Sequence, residues 1–215
     1  MAWLILKLRD AARNRRRTGS AKINFMRTFI AIELPPEIKN SLSSLQEQLK
    51  KSGADVKWVQ PQNIHLTLKF LGERDDKKIE KIMQILEETA KDKNLFEISI
   101  SSVGAFPTIN SPRVIWVGVD KGDTQIKEIA KDLEERIAKI GIPGEDRPFS
   151  SHITIGRMRS GLNRERLVKD LDNLTHSFGQ QTKRFLVTKI TLFESILTSK
   201  GPIYEVLREA SLKTI

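Results

Sequence analysis

Three histidines occur in the 215 residues, and two of them stand in the same local pattern. Ile64-His65-Leu66-Thr67-Leu68 and Ser151-His152-Ile153-Thr154-Ile155 both read histidine, apolar, threonine, apolar. On a strand alternate side chains share a face, so each stretch turns an imidazole and a hydroxyl one way and its aliphatic residues the other. The chain has thirteen threonines, so a threonine two places after a given histidine is a roughly 6% event, and composition alone does not account for the pair. Imidazole titrates near pH ~6.5, so at neutral pH one of two facing histidines can take a proton while the other gives one. That pairing suits in-line displacement at phosphorus. His65 and His152 would be the acid and base, and Thr67 and Thr154 would donate hydrogen bonds to the non-bridging oxygens as charge develops. Neither histidine has carboxylates nearby at metal-ligand spacing, and this chemistry calls for no metal or other cofactor. His176 lacks the pattern and reads as a surface loop residue.

The motif strands have to be held by the rest of the chain. Ile38, Leu42, Leu45 and Leu49 form an apolar helical stripe, opened by Pro35-Pro36 and followed by Gly53. Ile79, Ile82, Met83, Leu86 and Ala90 form a second. Ile126, Ala130, Leu133, Ile137 and Ile140 form a third, with Asp123 as its expected N-cap and Gly141 as its stop. Leu167, Leu171 and Leu174 form a fourth, entered through Asn163. Strand patterns lie between them, and the order repeats. Strand 28–34, helix 36–51, strand 63–71, helix 76–91 and strand 95–103 are followed by strand 113–119, helix 123–140, strand 151–157, helix 164–174 and strand 185–197. Tyr204–Leu207 adds a last strand after the Gly201-Pro202 turn. The repeat predicts a duplicated α+β unit, two lobes packed as one body across an approximate two-fold axis.

Composition sets the limits. With no cysteine, disulfides, thiolate catalysis and Cys-ligated metal sites are excluded, and a reducing, cytoplasmic location is the expectation. No apolar run is long enough for a membrane span. The net charge of +10 is uneven: residues 1–25 carry seven bases against one acid, and the remaining 190 residues hold 30 bases and 26 acids. Residues 1–25 therefore read as a dispensable basic extension, with the functional protein opening at Met26 and forming one domain over residues 26–215. The body's excess of only +4 points to few phosphate contacts with any nucleic acid rather than a long track.

His65-Leu-Thr-Leu-Lys-Phe-Leu-Gly72 and Ser151-His-Ile-Thr-Ile-Gly-Arg157 resemble the paired HxTx motifs of the 2H phosphoesterases. Met26-Arg-Thr-Phe-Ile-Ala-Ile-Glu-Leu34 and Leu197-Thr-Ser-Lys-Gly-Pro-Ile-Tyr204 resemble the RNA 2′,3′-cyclic phosphodiesterase branch, also called 2′-5′ RNA ligases. The resemblance implies a bilobal α+β fold, two mainly antiparallel sheets flanking a central groove with helices outside. It also implies hydrolysis of a terminal RNA 2′,3′-cyclic phosphate to a 2′-phosphomonoester; the same site run backwards would give weak 2′-5′ ligation, and a monomer without cofactor is the expectation. By position His65 corresponds to the proton donor, His152 to the proton acceptor, and Thr67 and Thr154 to phosphate-binding threonines. Arg157, five residues after His152, corresponds to a substrate-phosphate arginine. Strict alternation would put Arg157 on the face opposite His152, so that role requires the strand to twist or end near Gly156. Phe70 holds the equivalent place after His65, where core packing is the expectation and stacking on a base the alternative. A module that binds an RNA end or a cyclic nucleotide without turning it over is the competing reading.

Overall fold

The computed structural model describes residues 24–145, 147–177 and 183–214, with the last two residues of the middle segment described by backbone alone. Most of the basic extension expected at residues 1–25 therefore lies outside the described residues, and Phe25 already belongs to the first strand. The strands are β1 (Phe25–Glu33), β2 (Val56–Trp58), β3 (His65–Asp75), β4 (Phe96–Thr108), β5 (Ser111–Val119), β6 (His152–Met158), β7 (Lys183–Val187), β8 (Lys189–Thr198) and β9 (Gly201–Ser211). The helices are α1 (Pro36–Lys50), α2 (Asp76–Lys91), α3 (Asp123–Lys139) and α4 (Arg164–Ser177).

The apolar stripes bury as their spacing requires: Ile38, Leu42, Leu45 and Leu49 of α1 are at most 2% exposed, and Leu167 and Leu171 of α4 are fully buried. Each such side chain contributes about 1.5–3 kcal/mol on leaving water. Two expectations change at the level of single residues. Asp123 is the first helical residue of α3 rather than its cap; Gly122, at φ 87°, takes the cap position, and Asp123 pairs instead with Lys127 one turn on. His176 lies in the last turn of α4 rather than in a loop.

Every strand pairing is antiparallel, and the sheet order is β7-β4-β5-β6-β3-β1-β8-β9, with β2 added beside β6. The sequence suggests one strand over residues 185–197, whereas the chain there makes two: β7 pairs with β4 at one edge, and after Thr188 β8 pairs with β1 in the other half. The third strand of each repeat is thus exchanged. β4 lies against β5, and β8 lies against β1. The two halves meet at their motif strands through one residue pair, Leu66 with Ile153. The approximate two-fold axis runs through that pair.

Each motif strand carries a β-bulge at the same place. In β3, Thr67 pairs with Ala31 and Lys69 with Ile30, leaving Leu68 as the extra residue. In β6, Thr154 pairs with Trp116 and Gly156 with Ile115, leaving Ile155 as the extra residue. Burial runs identically from each histidine onward: intermediate, buried, intermediate, buried, buried, exposed. Helices from the opposite repeat hold these bulges. Gln46 of α1, itself buried, donates to Ile155 O at 2.7 Å and to Val59 O at 2.8 Å. Glu134 of α3 pairs with Lys69, whose side chain is only 1% exposed.

An ammonium buried beside one carboxylate sets a clear expectation. Glu134→Ala strands the Lys69 charge and costs about 3 kcal/mol, whereas Lys69→Met removes the charge with its chain volume largely kept and costs less. Urea denaturation of the two variants measures the difference, and equal losses would contradict it.

Candidate active site

Leu66 and Ile153 are fully buried, so their neighbours His65, Thr67, His152 and Thr154 fall on the opposite face of the sheet. There they line a single cavity of about 370 Å³ between the halves, which is within the size range of small-ligand pockets, roughly 300–1,000 Å³. The structure therefore brings all four motif side chains together. Arg157 and Phe70 line the same cavity.

The bulges explain both of those last placements. The extra residue Ile155 shifts the phase of β6 by one, so Arg157 returns to the face of His152 and Thr154. Gly156 makes room for β2: a Cβ there would lie 2.8 Å from Val56 Cγ1 and 2.9 Å from Trp58 Cε3. The Leu68 bulge does the same for β3, and Phe70 is 56% exposed on the cavity wall. Core packing of Phe70 is thereby overturned; the buried residue is Lys69, one place earlier.

Both imidazoles are anchored alike. His65 Nδ1–H donates to Asn63 O, and His152 Nδ1–H donates to Ser150 O, each at 2.8 Å and each to the carbonyl two residues back. A carbonyl only accepts, so Nδ1 carries the proton in each neutral ring and Nε2 is the basic nitrogen. His65 Nε2 accepts from the Thr67 hydroxyl at 2.9 Å. Burial lowers the His65 pKa from 6.5 to about 4, with Lys39, Arg157 and His152 adding smaller repulsions and the Asn63 hydrogen bond opposing them. Burial also lowers His152, with Arg157 acting the same way and the Ser150 hydrogen bond and Glu145 opposing. Both rings are therefore neutral at pH 7 in the open groove.

Aromatic side chains wall both rings. Phe29 lies 4.8 Å and Tyr204 5.3 Å, centroid to centroid, from His65, and Phe106 lies 5.1 Å from His152. Asn63 does two things at once. Its carbonyl fixes the His65 tautomer, and its buried side-chain amide donates to Pro202 O at 2.7 Å, tying the His65 end of β3 to the β8–β9 hairpin that carries Tyr204. The sequence motif does not single out Phe29, Asn63 or Phe106. Tyr204, the one tyrosine of the chain, beside Gly201-Pro202, was the available signal on that hairpin.

The family model for LigT-like phosphoesterases matches the chain twice in tandem, over residues 32–116 and 117–204, with the junction inside β5. The chain belongs to the LigT-like phosphoesterase family. An RNA 2′,3′-cyclic phosphodiesterase from Methanocaldococcus jannaschii is 36% identical over 190 residues, covering 86% of this chain and 99% of that one. One of the same name from Archaeoglobus fulgidus is 37% identical over 186 residues, covering 85% and 98%. Among solved structures, a Thermus thermophilus protein matches with TM-score 0.74 at 27% identity, covering 88% of this chain and 99% of that one. The Escherichia coli LigT structure complexed with 3′-AMP shares the fold, with TM-score 0.69 at 24% identity over 88% of this chain and 99% of that one. The tandem match to the LigT-like family agrees with the duplicated unit read from the strand and helix order.

In a LigT-like phosphoesterase with this groove, the buried histidine leaves a mark on stability. The folded pKa of His65 lies below its unfolded value, so between pH 6.5 and about 4 the unfolded chain binds a proton that the native chain does not. Stability is intact above that window and falls as pH drops through it. His65→Gln is expected to shrink the loss of urea stability between pH 7 and pH 4.5; an unchanged loss would place the acid sensitivity elsewhere.

Proposed function

We propose that the chain hydrolyses a terminal 2′,3′-cyclic phosphate on RNA to a 2′-phosphomonoester, with His65 and His152 as acid and base. The observation that carries this reading is the matched pair of Nδ1-anchored imidazoles, one from each repeat, on one cavity with Arg157. The relatives' shared name, RNA 2′,3′-cyclic phosphodiesterase, supports the same substrate.

His152 Nε2 takes a proton from water, whose oxygen bonds to phosphorus. The bond from phosphorus to O3′ breaks, and His65 gives its proton to O3′, leaving the phosphate on O2′. His65 is neutral in the open groove, so it gains that proton as the substrate anion enters and its charge offsets Arg157 and Lys39. Thr67 and Thr154 donate to the non-bridging oxygens, and Arg157 supplies the fixed positive charge. Phe70, exposed on the same wall, offers a face for the terminal base. No step as written calls for a metal. A 5′-hydroxyl in place of water would form a 2′-5′ linkage, a minor reaction in a groove open to solvent. Both halves of the site come from one chain, so a monomer suffices.

The test is turnover, with EDTA present, of a short RNA ending in a 2′,3′-cyclic phosphate. A 2′-monophosphate is the expected product. His65→Ala and His152→Ala should each lose about 10²–10⁴-fold in rate. Tight binding with no product would instead favour an end-recognition module. Arg157→Ala separates binding from proton transfer. Arg157 holds both histidine pKa values down, so its loss should cut kcat/KM and move the acidic limb of the pH profile to higher pH. A limb that stays in place would exclude Arg157 from the charge balance of the pair.

A further inference from the structure

A second cavity of about 240 Å³ adjoins the first, sharing Phe29, Asn63, His65, Pro202 and Tyr204 as its wall. The hydrogen bond from the Asn63 amide to Pro202 O is part of the partition between them. The floor beyond that partition is apolar and aromatic: Phe193 stacks on Phe29 with centroids 5.2 Å apart, and Tyr204 and Val206 pack on them in a cluster separate from the main core. Ile203, 52% exposed, flanks it. The rim is polar. Lys39 Nζ lies over the Gln62 carbonyl at 3.1 Å, and the Gln62 amide is exposed beside Gln60.

The carboxylate of Glu33 also lines the chamber and is paired with Lys189 at 3.5 Å, so an aromatic floor with amide groups and the Lys39 cation at its edge suits a nucleobase followed by a phosphodiester. The chamber lies below the usual lower limit of roughly 300 Å³ for a complete small-ligand site, so it fits one part of a molecule whose remainder occupies the first cavity. The body's excess of only +4 over residues 26–215 agrees with an RNA contact that ends after very few phosphates.

We propose that this second chamber is a subsite for the penultimate nucleotide of the RNA, its base on the Phe193–Tyr204 floor and its 3′-phosphodiester at Lys39. The inference rests on the phosphodiesterase reading above, which supplies the terminal nucleotide in the first cavity. Ile203 and Lys39 line only the second chamber, but Lys39 also acts on the charge of His65, so Ile203 is the position that distinguishes the two subsites.

The experiment compares adenosine 2′,3′-cyclic phosphate with a diadenosine dinucleotide ending in the same cyclic phosphate. The dinucleotide should show kcat/KM higher by about tenfold, a gain consistent with stacking one further base. Ile203→Glu and Lys39→Ala should each remove most of that advantage, and Ile203→Glu should leave mononucleotide turnover unchanged. Equal turnover of the two substrates by the unaltered protein, or an Ile203→Glu loss that is the same for both, overturns the subsite while leaving the phosphodiesterase reading intact. Absence of turnover on either substrate overturns that reading and the subsite with it.

Discussion

One extra residue in each motif strand decides what this groove can do. Without the Leu68 bulge, alternation would send Lys69 into the groove and Phe70 into the core; without the Ile155 bulge, Arg157 would point away from the histidines. A bulge breaks the regular ladder and has to be held from outside it. The holding groups come from the helices of the opposite repeat, Gln46 reaching the Ile155 carbonyl and Glu134 reaching Lys69. Each half of the molecule thus completes the motif strand of the other. Because β4 and β8 are also exchanged, neither repeat carries a finished sheet of its own.

That arrangement sets the electrostatics of the groove. Two imidazoles, the guanidiniums of Arg27 and Arg157 and the Lys39 ammonium face a partly enclosed space, and burial, Arg157 and, for His65, Lys39 push the histidines the same way, toward neutrality. Under the proposed reaction, an entering substrate anion would let such a groove gain a proton. Backbone carbonyls of Asn63 and Ser150 hold the rings at Nδ1, so the proton gained has to sit on Nε2, the nitrogen on the reacting side. In the proposed reaction, orientation would come from the backbone and charge from the substrate, leaving His152 uncharged to take a proton from water.

Much of this was legible in the sequence. The four helices announced themselves because an amphipathic stripe is a periodic signal spread over many residues, and the histidine motifs because a strand's alternation is equally regular. The repeat followed from their order. What stayed hidden depends on partners distant in the chain. Nothing around Thr188 marks the point where the chain leaves β4 and crosses to β1, since both segments are β-forming and no Gly or Pro intervenes. Three residues of β2 are too few to show a period. The bulges have no local signature either, although the position of Arg157 called for the strand to twist or end near Gly156 if that side chain was to meet a phosphate. Asn63 escaped because its amide and its carbonyl act on segments far from one another, Pro202 and His65.

The duplication is most informative where it has stopped being symmetric. Four places after the histidine stands Lys69 in one strand and Gly156 in the other; five places after stand Phe70 and Arg157. Lys69 is pulled through the sheet to Glu134, which removes its charge from the groove, and Gly156 lets Trp58 close over β6. At these matched positions the groove is left with Phe70 on β3 and Arg157 on β6, and Arg27 of β1 adds a second guanidinium on the β3 side. Two equivalent histidines would bind a cyclic phosphate equally well in either orientation. Arg157 on one strand and Phe70 at the matched place on the other make the two sides unequal, and in the proposed reaction that difference would give the two orientations different energies. Divergence at two positions per strand is enough to turn a symmetric pair into a groove with a direction, and in the proposed reaction that direction selects which ribose oxygen leaves.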